Sequence, residues 1–206
     1  MYKRQTHTLI LEKLGDQAQE NRFETIGPVI GKELRSKTVW FTILSFLLIV
    51  SYIALAFRRT VEYMRPWQWS VAVLISLTHN LLIPLGGLAI LGKFQGVEMD
   101  IPIVVALLTV VGYSINDTIV VFDRIRENLV RHRGIDFEDT VQRSIRETFA
   151  RSFNTGFTTI LVLLAIVFYG GETLRLFSLT LITGIVAGTY ASLFFAPWVL
   201  KMLRRG

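Results

Sequence analysis

The sequence contains no cysteine. A disulfide framework, a thiolate metal site and a nucleophilic thiol are excluded at once, and the redox compartment stays open. Charge is scarce where it would matter most for a soluble domain. Asp, Glu, Lys and Arg make up 18% of the chain, yet five stretches, 38–57, 67–92, 101–122, 152–171 and 176–200, together hold one formally charged residue, Asp117. No Walker loop, dinucleotide fingerprint, HExxH pair or GxSxG elbow is present. With one acid in all five stretches, the paired carboxylates of an intramembrane aspartyl protease are missing too. The chain is therefore not expected to be an enzyme or to carry a cofactor or metal. Any work it does must draw on a partner or an ion gradient. Low-complexity segments and solenoid-period repeats are also lacking.

What is present is apolar: 51% hydrophobic residues and a mean hydropathy of +0.47. A hydrocarbon core about 30 Å thick needs roughly 20 apolar residues per crossing helix, which each of the five stretches supplies. The chain reads as a polytopic membrane protein, with the lipid bilayer as its first partner. Its 22 Lys and Arg outnumber its 16 Asp and Glu, but the surplus flanks the spans. That placement reads as topology, and no nucleic-acid partner is expected. Arg58, Arg59 and Arg65 follow the first span, seven arginines from Arg124 to Arg151 follow the third, and Lys201, Arg204 and Arg205 follow the fifth. The connections on the other side carry only Lys93 and Arg175, beside Glu98, Asp100 and Glu172. Positive loops resist translocation, so the C-terminus is expected in the cytoplasm. Trp40, Trp67, Trp69 and Trp198 all fall at span ends, where an indole suits the headgroup region.

This pattern divides the chain into three domains. Residues 1–37 are polar and mixed, with a strand-like run at Thr6–Leu11 and a helix near Gly31–Lys37. They read as an extracytoplasmic remnant and the entry to the membrane, too small to fold alone. Residues 38–201 form the membrane bundle. Within it, 124–150 is a cytoplasmic amphipathic segment: Phe137, Val141, Ile145 and Phe149 recur every four residues among charges, as in a helix lying along the interface. Asp136, after Gly134, is its expected cap. The other charged residues of that loop, Glu127 and His132 among them, read as a solvated surface. Residues 202–206 are a cytoplasmic tail.

Asp117 is the residue most in need of an explanation, because a carboxylate in the bilayer costs several kcal/mol unless paired, hydrated or protonated. Tyr113 and Ser114 precede it by one turn, giving the third span a polar stripe with Asn116 alongside. The fourth span offers a partner stripe of Arg151, Thr155, Thr158 and Thr159, and Asp117 with Arg151 makes a natural ion pair. Two readings stand: a proton relay, in which burial and the arginine act on Asp117 in opposite directions, or a fixed pair that sets helix packing. In the second span His79 and Asn80 sit mid-segment ahead of Pro84, Gly86 and Gly87, which would kink or thin the helix. His79 is a possible proton acceptor, although a lone membrane histidine is more often a packing residue. Gly184, Gly188 and Ser192 form a small-xxx-small stripe, read as a surface for close helix approach.

Residues Val111-Gly112-Tyr113-Ser114-Ile115-Asn116-Asp117-Thr118-Ile119-Val120-Val121-Phe122-Asp123-Arg124-Ile125-Arg126-Glu127-Asn128 closely resemble the signature of the SecF family of protein-export membrane subunits. Ile26–Leu34 is similar to the segment entering that family's second membrane helix, Arg151 with Thr155, Thr158 and Thr159 to its arginine and threonine region, and Gly170-Gly171 to the following external turn. The resemblance implies an all-α polytopic fold: five transmembrane helices of a six-helix bundle related to the resistance-nodulation-division (RND) transporters, with a remnant of an extracytoplasmic α+β domain at the N-terminus. It implies a bacterial inner-membrane subunit that works with SecD, the SecYEG channel and YajC, and uses the proton-motive force to complete export of a translocating preprotein. By the same resemblance, Asp117 and Arg151 match the residues implicated in proton conduction. Two departures are expected to matter. The family's first helix and most of its external domain have no counterpart here, as in an N-terminal truncation. Members also usually carry His-Asp where this chain has His79-Asn80. The competing readings are an RND half-transporter exporting lipid or drug, and a membrane scaffold that conducts nothing.

Overall fold

The computed structural model describes residues 28–57, 64–97, 99–132, 134 and 136–205, and among them no strand occurs. The strand expected at Thr6–Leu11, with most of the 1–37 segment, lies outside the described residues. The helices are α1 (Pro28–Ala56), α2 (Pro66–Gln95), α3 (Ile101–Arg131), α4 (Phe137–Tyr169), α5 (Glu172–Tyr190), a π-helical segment (Ala191–Phe195) and α6 (Ala196–Arg205). Four stretches are long and apolar enough to cross a membrane: α2, α3, α4, and Leu174–Arg204, which runs from α5 through the π segment into α6. Ile43–Ala56, where a first span is expected, is a shorter apolar helical stretch. The chain divides into two compact units, 1–44 and 45–206. The described part of the first is the N-terminal portion of α1, with Trp40 exposed. The second holds the bundle.

Local chemistry sets the helix ends of the second unit. Pro66 opens α2 at a position that needs no N–H, and Gln68 Oε1 accepts the Arg65 N–H at 2.8 Å. Gly96, at φ +68°, closes the helix by donating its N–H to Gly92 O. Asp100 caps α3 by accepting the Ile103 N–H at 3.0 Å. Asp136 caps α4, as expected, by accepting the Glu138 N–H at 3.2 Å. Before it, Gly134 turns the chain at φ +103°.

The stretch 124–150 is not a separate helix. Residues 124–131 continue α3 and 137–150 begin α4. Nothing between Asp123 and Arg131 breaks a helix, so α3 reaches about 45 Å at 1.5 Å per residue and outruns a core of roughly 30 Å. Phe137 and Val141 are buried and Ile145 packs behind them in the main core, so that part of the apolar stripe faces protein. Phe149 is exposed.

The main core gathers Ile53, Phe57, Trp69, Phe122, Leu129 and Leu200 with their neighbours. Trp69 is fully buried there, stacked on Phe57 at 4.7 Å and edge-on to Phe122 at 5.4 Å, so this tryptophan is a core residue and not a headgroup anchor. Trp67 and Trp198 are exposed. Two smaller clusters, around Val110 with Ile185 and around Leu88 with Ile103, fill the other half of the bundle. The π segment ends two residues before Pro197. Proline lacks an N–H and its ring clashes with the carbonyl four residues earlier, and a widened turn relieves both problems.

Candidate functional site

Three elements converge on Asp117. It lies mid-way along α3, partly buried, and each carboxylate oxygen accepts a hydroxyl from a different neighbour. Ser152 Oγ of α4 donates to Oδ1 at 2.5 Å. Ser192 Oγ of the π segment donates to Oδ2. Ser192 Oγ also lies 3.1 Å from the Thr189 carbonyl oxygen. Donors on an ionised carboxylate make stronger hydrogen bonds than neutral pairs, and here they partly replace the hydration the bilayer denies.

Small residues let these elements approach. A Cβ on Gly184 would collide with Val110 of α3, and one on Gly188 would sit 2.9 Å from Asn80 Nδ2 and 3.5 Å from Ser114 Oγ. One turn further on, Ser192 meets Asp117. The Gly184, Gly188, Ser192 stripe therefore packs α5 and the π segment on Val110, Ser114 and Asp117, the close approach its spacing predicts. On α4, a Cβ on Gly156 would lie 3.0 Å from Thr189 Oγ1 and 3.6 Å from the Tyr113 hydroxyl. Gly156 is one turn from Ser152, so that face of α4 is the one turned inward.

Arg151 is consequently turned elsewhere. It stands about 100° around the helix from Ser152, is exposed, and makes no ion pair with Asp117. It lines a cleft of about 470 Å³ with Asp123, Arg124, Glu127, Glu147 and Thr148. Thr155 donates to Arg151 O, Thr158 to Asn154 O and Thr159 to Thr155 O, so these hydroxyls are satisfied along their own helix. Thr155 and Thr158 are exposed, and Thr159 borders the Tyr113 hydroxyl. Asn116 is exposed. Ser114 is fully buried, and its Oγ has no hydrogen-bond partner among the described residues. Asn80, likewise buried, has both amide ends unpaired among those residues. Pro84 in turn cannot donate to the Asn80 carbonyl. His79 stacks on Phe195 of the π segment at 4.2 Å.

The sequence signals missed Ser152 and Ser192 as ligands of the acid. A hydroxyl carries no charge to make it conspicuous in an apolar span, and the one usable mark was the four-residue spacing of Ser152 with Gly156 and of Ser192 with Gly188.

Beyond the apolar stretches, the ends of α3 and α4 are tied by charge. Arg124 Nε and Nη1 reach Glu147 and Glu127, both at 2.6 Å, and Arg143 reaches Glu147 at 2.9 Å. Asn128 Nδ2 donates to Ser144 Oγ at 2.9 Å and to Glu147 Oε2 at 2.8 Å. Hydrogen bonds from Asn128 first, then from Arg143 and Arg124, hold the Glu147 carboxyl at about 2, well below its ordinary range. Among the described residues no group of three His, Asp or Glu converges as a metal site.

Comparison with known proteins places the chain in a family. The family model for "Protein export membrane protein SecD/SecF, C-terminal" matches residues 6–206. The SecF protein translocase subunit of Thermobaculum terrenum is 44% identical over 191 residues, covering 93% of this chain and 59% of that protein. The SecDF subunit of Thermus thermophilus is 42% identical over 171 residues, covering 83% of this chain and 22% of that longer protein. A crystal structure of SecDF in its super-membrane-facing form superposes with a TM-score of 0.77 at 37% identity, covering 98% of this chain and 26% of that one. The chain thus spans about 59% of the Thermobaculum subunit and about a quarter of the SecDF structure. Asp117 and its serines lie well inside the matched region, in a multi-pass membrane protein: the chain belongs to the SecD/SecF family of protein-export membrane proteins.

Proposed function

We propose that this chain is the membrane part of a SecF-type accessory subunit of the Sec translocase, in which Asp117 is the proton acceptor that couples the proton-motive force to late preprotein export. The observation that carries this reading is the setting of Asp117. A carboxylate stands inside an apolar bundle, with its two oxygens held from two different elements, α4 and the π segment. Protonation removes the charge both serines serve and so changes what holds those elements together. A difference in proton affinity between two arrangements of the bundle is all that coupling requires. Arg151, in the charged cleft beside this point, supplies a permanent positive charge that opposes a nearby proton without pairing with the acid. Relatives in which SecD and SecF are one chain support SecD as the working companion. SecYEG, YajC and the preprotein are proposed partners on family grounds, with the C-terminus cytoplasmic in a bacterial inner membrane.

The test is Asp117→Asn in membrane vesicles carrying the complete complex, with gradient-dependent completion of preprotein translocation as the readout. The expected result is an assembled subunit and a lost gradient-dependent step. Export that continues unchanged would make Asp117 a packing residue and the subunit a scaffold.

A further inference from the structure

We infer that Ser192 is a positioning residue for proton uptake, a hydroxyl that reverses its hydrogen bond when Asp117 is protonated and hands its own hydrogen to the Thr189 carbonyl. The inference rests on the proposed role of Asp117 as proton acceptor and names how that protonation is registered by the backbone.

An ionised carboxylate only accepts hydrogen bonds, so Ser152 and Ser192 must both donate to it. The two serines are not equivalent. Ser152 Oγ has Asp117 Oδ1 as its one acceptor among the described residues. Ser192 Oγ has two acceptors within reach, Asp117 Oδ2 and the Thr189 carbonyl at 3.1 Å, but a single hydrogen to give. When a proton arrives from water it forms an O–H bond on Oδ2, and the carboxylate becomes a neutral acid. That new O–H donates to a lone pair of Ser192 Oγ, and the serine hydrogen turns to Thr189 O. Ser152 goes on donating to Oδ1. No hydrogen bond is lost and no polar group is orphaned, which is what makes the exchange tolerable away from water. Oδ2 is therefore the oxygen that takes the proton.

The switch sits where the helix is least regular. Thr189 is in the last turn of α5, and Ser192 is inside the π segment, a widened turn of the kind often found at functional sites. Other titratable or charged groups near this point are Tyr113 on α3, Arg151 beside Ser152 on α4, and His79 on α2 against Phe195. None of them hydrogen-bonds to Asp117. The helix beyond the π segment is anchored: Lys201 pairs with Glu138 of α4, and the Leu203 carbonyl accepts from Gln68 of α2 at 2.6 Å. A change of hydrogen bonding at Thr189 is thus made at the junction between a packed α5 and a tethered α6.

Thr189–Tyr190 is the single Thr–Tyr step in the sequence. In the complete complex in lipid vesicles, with only this subunit carrying carbonyl-13C threonine and 15N tyrosine, solid-state NMR isolates the Thr189 carbonyl, assigned by its loss in Thr189→Ser. The Asp117 carboxyl is followed over the same pH series and assigned with Asp117→Asn. The expected result is a Thr189 shift that titrates with the same midpoint as Asp117. That titration is lost in Asp117→Asn and Ser192→Ala, and kept in Ser192→Thr and Ser152→Ala. A Thr189 carbonyl that stays fixed while Asp117 titrates overturns the relay and leaves the proton-acceptor reading standing, as does a titration that survives Ser192→Ala. An Asp117 that never titrates removes the acceptor reading and the relay with it. If Ser192→Ala fails to assemble, the unsubstituted and Ser192→Thr proteins still decide the matter.

Discussion

Close approach at single residues is what brings a serine hydroxyl onto Asp117, and it leaves little tolerance for added atoms. Gly184 faces Val110 so tightly that a methyl group has no room, while a methyl group at Gly188 would force the Asn80 side chain to shift and one at Gly156 would make the Thr189 hydroxyl give way by a few tenths of an ångström. Gly184→Ala is expected to destabilise the bundle by about 1–3 kcal/mol, the usual cost of forcing an extra carbon into a packed core. Val110→Ala alone should also destabilise, by opening a cavity. The double variant should cost less than the sum of the two by at least about 0.5 kcal/mol, since each change relieves the other. Denaturant unfolding in detergent micelles reads all three values, and strict additivity would mean that Gly184 and Val110 are not in contact. The same crowding sets the register of α5 on α3, so a distorted Gly184 contact should also displace Ser192 from Asp117.

At the scale of elements, the α3 and α4 extensions form a hairpin closed by charge. Glu147 is its hub, accepting from Arg124, Arg143 and Asn128. It precedes the apolar stretch at 152–171, and its carboxyl is held at about 2 against an ordinary 4.5. A depressed carboxyl contributes stability that is complete above the unfolded value and is lost as pH falls through the folded one. Glu147→Gln should therefore destabilise the protein near neutral pH, and the gap to the unsubstituted protein should close between pH 4.5 and about 2, where the native residue is protonated as well. Thermal unfolding across that range is the measurement, and a gap independent of pH would rule out the ionised hub. The hairpin also shows what was legible in the sequence. Four of the five apolar runs fall on helices long and apolar enough to cross a membrane, and Asp136 after Gly134 marked the start of α4, because chemistry local to the chain decides both. The continuity of α3 past Phe122 was hidden because the apolar run ends in charge there, and charge does not break a helix. Asp117 stood out as the lone acid. Its partners did not, because Arg151 and Ser152 are neighbours pointing about 100° apart, and only packing at Gly156 decides which of them faces the acid. The π segment had one mark, Pro197, whose effect depends on how the preceding turn is packed.

For the whole molecule, orientation decides which compartment each end of the bundle faces, and hence from which side a proton can reach Asp117. The basic residues after Phe122 and after Leu200 lie at one end, where α3, α4 and α6 meet in the charged hairpin and the Lys201–Glu138 pair. The connection between α2 and α3 lies at the other end, with Met99 well exposed and Asp100 capping α3. Positive charge should hold the first of these ends in the cytoplasm. A chain without cysteine suits the test, since a single introduced thiol has no background. Met99→Cys and Asp139→Cys place that thiol at the two ends, both at exposed positions. In intact spheroplasts a membrane-impermeant maleimide should label Met99→Cys directly and Asp139→Cys only after permeabilisation. The cleft that holds Arg151 would then open toward the cytoplasm, and the buried Ser114 and Asn80 would lie on the outer side of Asp117, along the way in for an inward-moving proton. The reverse labelling pattern would invert the molecule. Arg151 would then guard entry instead of release, and a gradient acting on Asp117 would drive the Ser192 exchange from the opposite side.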